Sequence, residues 1–441
     1  MQRAAALYQA GRLDEARAAA LEILAADARH FNALHLLAAI GVRAGRPEET
    51  LDYATRALAL VPGHPEVLCN RGIALRSLDR IEEALADYDR VLAANPGYVP
   101  ALSLRGVALA ALNRHGDAID CFSRAISLEP RYAPAHLNRA FSNLVSGRYD
   151  EGWRDFEWRW TGSDTQIPLR AFKQAEWRGE DLRGHSILVH AEQGLGDAIQ
   201  VARYVPLLAE RGARVVLEVQ APLAALFADL PATLVKFGAA LPATDFHCPM
   251  LSLPQRFGTR ADSIPSNVPY LHAPPSHVEK WRARLGPARG PRIGIAWSGN
   301  TRQRNDRNRS IPLEMLESLR AGPWTLVSLQ KELRDDERAA LGGERPIPHF
   351  GDELADFRDT AALVSLVDQV VSVDTSVAHL AGAMGKPLTV LLTFAADWRW
   401  LLDRADSPWY PTARLLRQRG RGDWLPVIKE ANAALVHTFR P

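Results

Sequence analysis

A 34-residue period runs through the first third of the chain and decides what that third can fold into. The pairs Gly11-Arg12, Gly45-Arg46, Asp79-Arg80, Asn113-Arg114 and Gly147-Arg148 stand one period apart. Pro62, Pro96 and Pro130 keep the same step, as do the small residues Ala16, Ala84 and Ala118 and the aromatics Tyr88, Phe122 and Phe156. Each mark has a physical role. Gly, Asn or Asp followed by a polar residue ends one helix in a tight turn, and proline stops the second helix before the next unit begins. Small residues let the two helices approach, and the aromatics form a packing stripe on the second. Coincident registers of this kind describe an array of stacked helical hairpins.

This pattern resembles the tetratricopeptide repeat and is expected to cover residues 1–160. Such arrays offer a concave groove. If the first helices begin at Phe31, Pro65, Val99 and Ala133, their sixth positions are Leu36, Asn70, Leu104 and Asn138. Asn70 and Asn138 are candidates to grip an extended peptide through their amides, as asparagines at this position do in some tetratricopeptide glycosyltransferases. Hydrogen bonding between helices is the competing role. Trp153, Trp158 and Trp160 close the array, either capping an exposed apolar end or docking it onto the next domain.

Beyond a linker or strap over 161–183 the pattern changes. Ser186 to His190 reads as a strand, a glycine loop and a helix from Asp197 to Arg211 come next, and Arg214 to Val219 is the second strand, which makes a parallel βαβ unit. Weaker strands are expected near 234–237 and 245–248. A second series begins after a polar, proline-bearing stretch: Arg292 to Trp297, Thr325 to Leu329, Gln369 to Val373 and Leu388 to Leu392. The expected class is α plus α/β, a helical solenoid and then two Rossmann-like lobes over 184–275 and 276–441. One large doubly wound domain is the alternative.

Two loops carry the chemistry. Glu192 to Asp197 (EQGLGD) comes after the first strand; its glycines, Gly194 and Gly196, let backbone approach a ligand at a helix N-terminus. It is no dinucleotide fingerprint, because Ile199 stands where GxGxxG needs glycine. Asp197 could also be a simple N-cap, worth about 1 kcal/mol. Val371 to Pro387 (VSVDTSVAHLAGAMGKP) runs a strand into Asp374-Thr375-Ser376 and opens a helix at once, so that free N–H groups and two hydroxyls make a cradle for a diphosphate. His379 sits about one turn in, as a brace for the loop or as a ligand contact.

Together, GLGD and DTSVAHLAGAMGKP resemble the heptosyltransferase-like glycosyltransferases of family 9, whose motifs read close to LGD and DTGLxHLAAALxxP. The resemblance spans about residues 184–440. The whole layout resembles bacterial tetratricopeptide proteins with such a domain, through HAEQGLGDAIQVARYVPLL, HCPMLSLPQRFG, VSVDTSVAHL and DWRWLLDRADSPWYPTARLLRQ. The resemblance implies a GT-B fold with Asp197 as catalytic base, taking the proton of the acceptor hydroxyl. It also implies that Thr375, Ser376 and Val377 hold the donor phosphates through backbone amides, that Asp374 orients the loop, and that His379 is the family histidine. Ser376 replaces the family's glycine. The resemblance further implies that the loop after RIGIAW, with Ser298, Gly299 and Asn300, lies near the phosphates; Arg302, Arg304, Arg307 and Arg309 come close behind, and Arg309 is the expected phosphate-neutralising cation, although a solvated basic loop would read the same way. Gln330 and Lys331, ending the next strand, are placed to touch the nucleotide.

Composition narrows the partners. A net charge of +2, with 47% hydrophobic and 24% charged residues, is that of a globular protein and speaks against nucleic acid. Cys69, Cys121 and Cys248 form no CxxC pair, no apolar run is long enough for a membrane span, and residues 1–20 contain no signal-peptide core, so a cytoplasmic location is expected. The DxD at Asp87-Tyr88-Asp89 falls in a repeat helix, so no metal or other cofactor is expected. The function expected is an inverting, metal-independent glycosyltransferase that moves a sugar from a nucleotide-sugar to a hydroxyl of a protein, for instance a flagellar or surface protein, recruited by the array. A non-catalytic scaffold with a degenerate transferase, or a transferase acting on glycan or lipid, are the alternatives. Self-association through the repeats is open in each case.

Overall fold

The computed structural model describes residues 1–161, 170–288, 290–300, 306–335 and 337–439. They form two compact units. One holds Met1–Ser146 and the stretch that begins at Asp155; the other holds Gly147–Arg154 and the described chain from Arg170 onward.

The helices of the solenoid are α1 (Gln2–Gln9), α2 (Leu13–Ala26), α3 (Phe31–Ala44), α4 (Pro47–Leu60), α5 (Pro65–Ser77), α6 (Ile81–Ala94), α7 (Val99–Ala111), α8 (His115–Leu128) and α9 (Ala133–Val145); α10 (Tyr149–Phe156) comes next. The repeated Gly, Asp or Asn closes each first helix in the left-handed region, with φ of 75° at Gly11, 68° at Gly45, 66° at Asp79, 58° at Asn113 and 75° at Gly147. Only residues that tolerate positive φ recur there because the turn demands it. Between paired helices, Ala16, Ala84 and Ala118 are fully buried. The rings of Tyr88 and Phe122 fill the space that a side chain would take at Gly72 and Gly106. Large-on-small packing thus keeps the period. A buried polar series shares it: Arg71 Nε donates to Asp87 (2.7 Å), Arg105 Nη1 reaches Cys121 Sγ (3.1 Å) and Arg139 Nε donates to Asp155 (2.6 Å). All three cysteines are buried and outside any disulfide.

The repeat period treats Tyr149 to Trp160 as one closing segment, whereas the structure divides it. Trp158 stacks on His136 of the solenoid unit, centroids 3.9 Å apart, and Trp160 lies under the Arg159 guanidinium. Tyr149 and Trp153 instead pack within the α/β unit against Trp409 and Trp398.

That unit contains two wholly parallel five-stranded sheets. The first is built from β1 (Ala175–Glu176), β2 (Ser186–His190), β3 (Arg214–Val219), β4 (Thr233–Lys236) and β5 (Phe246–Pro249), in the order β1-β5-β2-β3-β4. The second is built from β6 (Arg292–Ala296), β7 (Thr325–Ser328), β8 (Gln369–Val373), β9 (Leu388–Leu392) and β10 (Ala413–Arg417), in the order β10-β9-β8-β6-β7. This is the two-lobed α/β arrangement, not one continuous sheet. Strands β6, β8 and β9 are buried along their whole length, as helix-covered parallel strands must be.

Three local readings change. The segment read as linker supplies edge strand β1, which pairs with β5 through Ala175 and Glu176; Gly162, Ser163 and Pro168 of that segment lie outside the described residues. Strand β10 comes from ARLLR, which alternates too weakly to stand out alone. The helix expected over 197–211 is two helices, α11 (Leu195–Val201) and α12 (Tyr204–Glu210). Pro206 offers no N–H and crowds the Ala202 carbonyl, so the break falls just before it, at Ala202 and Arg203, and Pro206 stands in the first turn of α12. Among the described residues no helix is long and apolar enough to cross a membrane.

Candidate active site

In parallel sheets, ligands bind beyond the carboxyl ends of the strands, where the strand order reverses direction. In the second sheet that point lies between β6 and β8, so the loops that start at Trp297 and Asp374 flank it. In the first sheet it lies between β2 and β5, and the loop from Ala191 to Gly196 leaves β2 there. The Ala191–Gly196 loop and the loops from Trp297 and Asp374 therefore leave their strands at the topological switch points.

They meet directly. A Cβ at Gly196 would lie 2.8 Å from His379 Cδ2 and 3.5 Å from Ser376 Cα, so only glycine permits this approach of α11 to the helix Ser376–Ala383. Gly194 and Gln193 are exposed, while Asp197, Asp374 and Ser376 are partly exposed.

Asp197 has both carboxylate oxygens engaged. Oδ2 accepts from the Gly194 N–H at 2.8 Å, the reach-back half of a capping box, and Oδ1 pairs with Arg399. An ionised carboxylate has about four lone-pair sites, so each oxygen retains one for a further proton donor. Arg399 is itself held on three sides: Nε donates to Gln200 Oε1 (2.5 Å), Nη1 to Asp397 Oδ1 (2.8 Å), and the guanidinium lies 4.3 Å over the Trp398 ring. Burial works against its charge, but the Asp397 and Asp197 carboxylates raise its pKa well above the usual value.

On the facing loop, Thr375 is the N-cap residue, yet its side chain makes no cap. Its hydroxyl turns inward to Ser372 Oγ (3.2 Å). Of the two hydroxyls expected in the cradle, only that of Ser376 is left, because the buried Thr375 is tied to its own strand. The Ser376 and Val377 amides open the helix. Asp374 Oδ1 lies 3.8 Å from His379 Nε2, and its carbonyl accepts from Arg309 Nη1 (2.9 Å). Burial, and next the Asp397 carboxylate, push Asp374 up to about 6, against the pull of Arg399 and Arg309. His379 is a brace: buried, hydrogen-bonded through Nδ1 to Tyr410 Oη (2.8 Å) and stacked on Trp400. Burial, assisted by the arginines around it, keeps its pKa well below the usual value and leaves the ring neutral.

The third loop converges on the same place. Arg309 lies against Gly299, where any side chain would collide with its guanidinium, and Asp306 Oδ1 accepts from its Nε at 3.3 Å. Ser298 is buried and accepts from Gln330 Nε2 (2.8 Å), so Gln330 braces this loop from beneath. Lys331 turns to the carbonyls of Gly351 and Leu354. Asn300 is exposed at the edge of the described stretch, Arg307 is exposed, and Arg302 and Arg304 lie outside the described residues. The structure thus gathers Gly194, Gly196, Asp197, Gly299, Arg309, Asp374, Ser376 and His379, and turns Gln330 and Lys331 to bracing contacts. Sequence reasoning missed Arg399. Its signal was the Asp397-Trp398-Arg399-Trp400 run, since a charge between two tryptophans is rarely left without a buried partner.

In the solenoid unit the sixth-position series is half-buried, and Asn138 donates to the Pro134 carbonyl of its own helix (2.8 Å). One amide donor of Asn138 is thereby taken, and its carbonyl oxygen is uncommitted to that bond.

Comparison with known proteins places the array firmly. Residues 1–65 and 69–133 match a tetratricopeptide-repeat family model. The N-terminal array is a tetratricopeptide solenoid. The chain is also similar to protein FlbA of Caulobacter vibrioides, 29% identical over 325 residues, which is 67% of this chain and 54% of that protein. It therefore spans about half the length of that curated relative. Among solved structures, it is similar to MamA (22% identity, TM-score 0.32, covering 36% of this chain and 92% of that one). It is similar also to a thermophilic tetratricopeptide protein of Thermus thermophilus (23% identity, TM-score 0.33, 36% and 86%).

Proposed function

We propose that the α/β unit is a heptosyltransferase-like glycosyltransferase that moves a sugar from a nucleotide-sugar to a hydroxyl of a protein recruited by the solenoid, with inversion and without a metal. The observation that carries this reading is the meeting of the Asp197 loop with the Ser376–His379 turn at two topological switch points. In the proposed reaction the acceptor oxygen attacks the anomeric carbon, its proton passes to Asp197, and the bond from that carbon to the diphosphate breaks with its electron pair on the leaving nucleoside diphosphate. Charge grows on that diphosphate as the bond breaks. In this reading the amides of Ser376 and Val377, the helix N-terminus and Arg309 would supply the fixed positive potential that lowers the barrier selectively.

The test pairs binding with turnover. Thermal shifts with UDP, GDP, ADP and CMP identify the nucleotide; at about 100 times its dissociation constant a true ligand adds roughly 2.7 kcal/mol. Asp197→Asn should then lower turnover of the matching nucleotide-sugar about 10²- to 10⁴-fold while binding stays within a few-fold. Binding without turnover in the unaltered protein would leave a scaffold with a degenerate transferase. Transfer to a glycan or lipid, but to no folded protein, would move the acceptor to another class.

A further inference from the structure

Trp153 lies on α10, in the segment that the repeat period assigns to the solenoid, yet it is buried in the α/β unit. Its indole Nε1 donates to the Thr259 carbonyl (2.9 Å), beyond the last strand of the first sheet. Its ring meets Trp398 edge to face, centroids 5.2 Å apart at 89°, in the loop after β9 of the second sheet. Tyr149, one turn earlier, stacks on Trp153 at 5.6 Å. One side chain thus touches both lobes. Trp398 is also the ring on which the Arg399 guanidinium rests, and Arg399 pairs with Asp197. The contacts form an unbroken series from Trp153 through Trp398 and Arg399 to the carboxylate.

We propose that Trp153 is a positioning residue for Asp197: it fixes the plane of Trp398, which fixes the Arg399 guanidinium, which sets the carboxylate. Arg399 has a long, rotamer-rich side chain, and its placement depends on having a rigid surface beneath it. With Trp153 truncated, Trp398 gains room to swing and the clamp on Asp197 loosens. The inference deepens the transferase reading and rests on it for its kinetic arm only.

The experiment uses the full chain. Trp153→Ala should lower kcat for nucleotide-sugar turnover about tenfold or more, with KM within about threefold, because sub-ångström misplacement penalises the reacting geometry far more than ligand binding. Trp153→Phe keeps a ring against Trp398 and should recover kcat to within about threefold. Trp158→Phe, on the solenoid ring stacked with His136, should leave turnover unchanged. Amide exchange supplies a readout that needs no catalysis: Trp153→Ala should speed exchange in 194–201 and 397–401 and leave the core strand 369–373 protected. An unchanged kcat in folded Trp153→Ala, a failure of Phe to rescue, or a uniform rise in exchange would each overturn the proposal. If the unaltered protein turns over no nucleotide-sugar, the transferase reading fails, and the exchange pattern still decides whether Trp153 orders the Asp197 loop.

Discussion

Gly196→Ala tests the contact on which the site depends. The added methyl would sit 2.8 Å from His379 Cδ2, well inside ordinary van der Waals separation, and 3.5 Å from Ser376 Cα. The ring cannot easily yield, because Tyr410 holds its Nδ1 at 2.8 Å and Trp400 stacks at 5.5 Å. The two helix N-termini must separate by roughly half an ångström, and overpacking of this kind costs about 1–3 kcal/mol. In a unit of this size that lowers the midpoint of its thermal transition by about 2–4 °C per kcal/mol. The same separation moves Asp197 away from the Ser376 and Val377 amides, so turnover should fall about 10²-fold, as for an ångström-scale misplacement. Calorimetry and a nucleotide-sugar turnover assay measure both effects on one preparation. Gly420→Ala is the control: a Cβ there meets nothing within 4 Å, and its effect should stay within about 0.5 kcal/mol. If Gly196→Ala matched that control in stability and kept full turnover, the two loops would not be in contact and the site as described would be wrong.

Three further outcomes rest on the same geometry. Asp374 is raised from 3.8 to about 6 in the folded protein, so between those values the native state binds the extra proton and stability falls as pH rises through about 6; Asp374→Asn should remove this part of the pH dependence, seen as a difference between the two denaturation profiles from pH 4 to 7. Gly106→Ala would press a methyl 2.5 Å from Phe122 and should destabilise the solenoid by about 1–3 kcal/mol without changing the stabilisation by nucleotide, whereas Gly116→Ala, with open space around it, should be neutral or slightly stabilising. Asp87→Ala leaves the half-buried Arg71 without its carboxylate and should lower solenoid stability by about 2 kcal/mol, read as a shift in the denaturant midpoint at constant slope.

The sequence alone was enough for the solenoid and for the principal strands, because both depend on local rules. A turn that needs positive φ selects Gly, Asp or Asn at every 34th residue, and a buried parallel strand needs an unbroken apolar run such as QVVSV or LTVLL. The same rules named both loops of the site, since glycines and hydroxyls after a strand mark a helix N-terminus wherever they occur. Tertiary structure decided the rest. Gly196 is required by a histidine 183 positions away, and Asp197 is paired with an arginine 202 positions along the chain. Nor could the period reveal that Trp153 belongs with the α/β unit while Trp158 belongs with the solenoid. A repeat reports which face of a helix is buried; which neighbour buries it is fixed only when distant segments compete for the same surface.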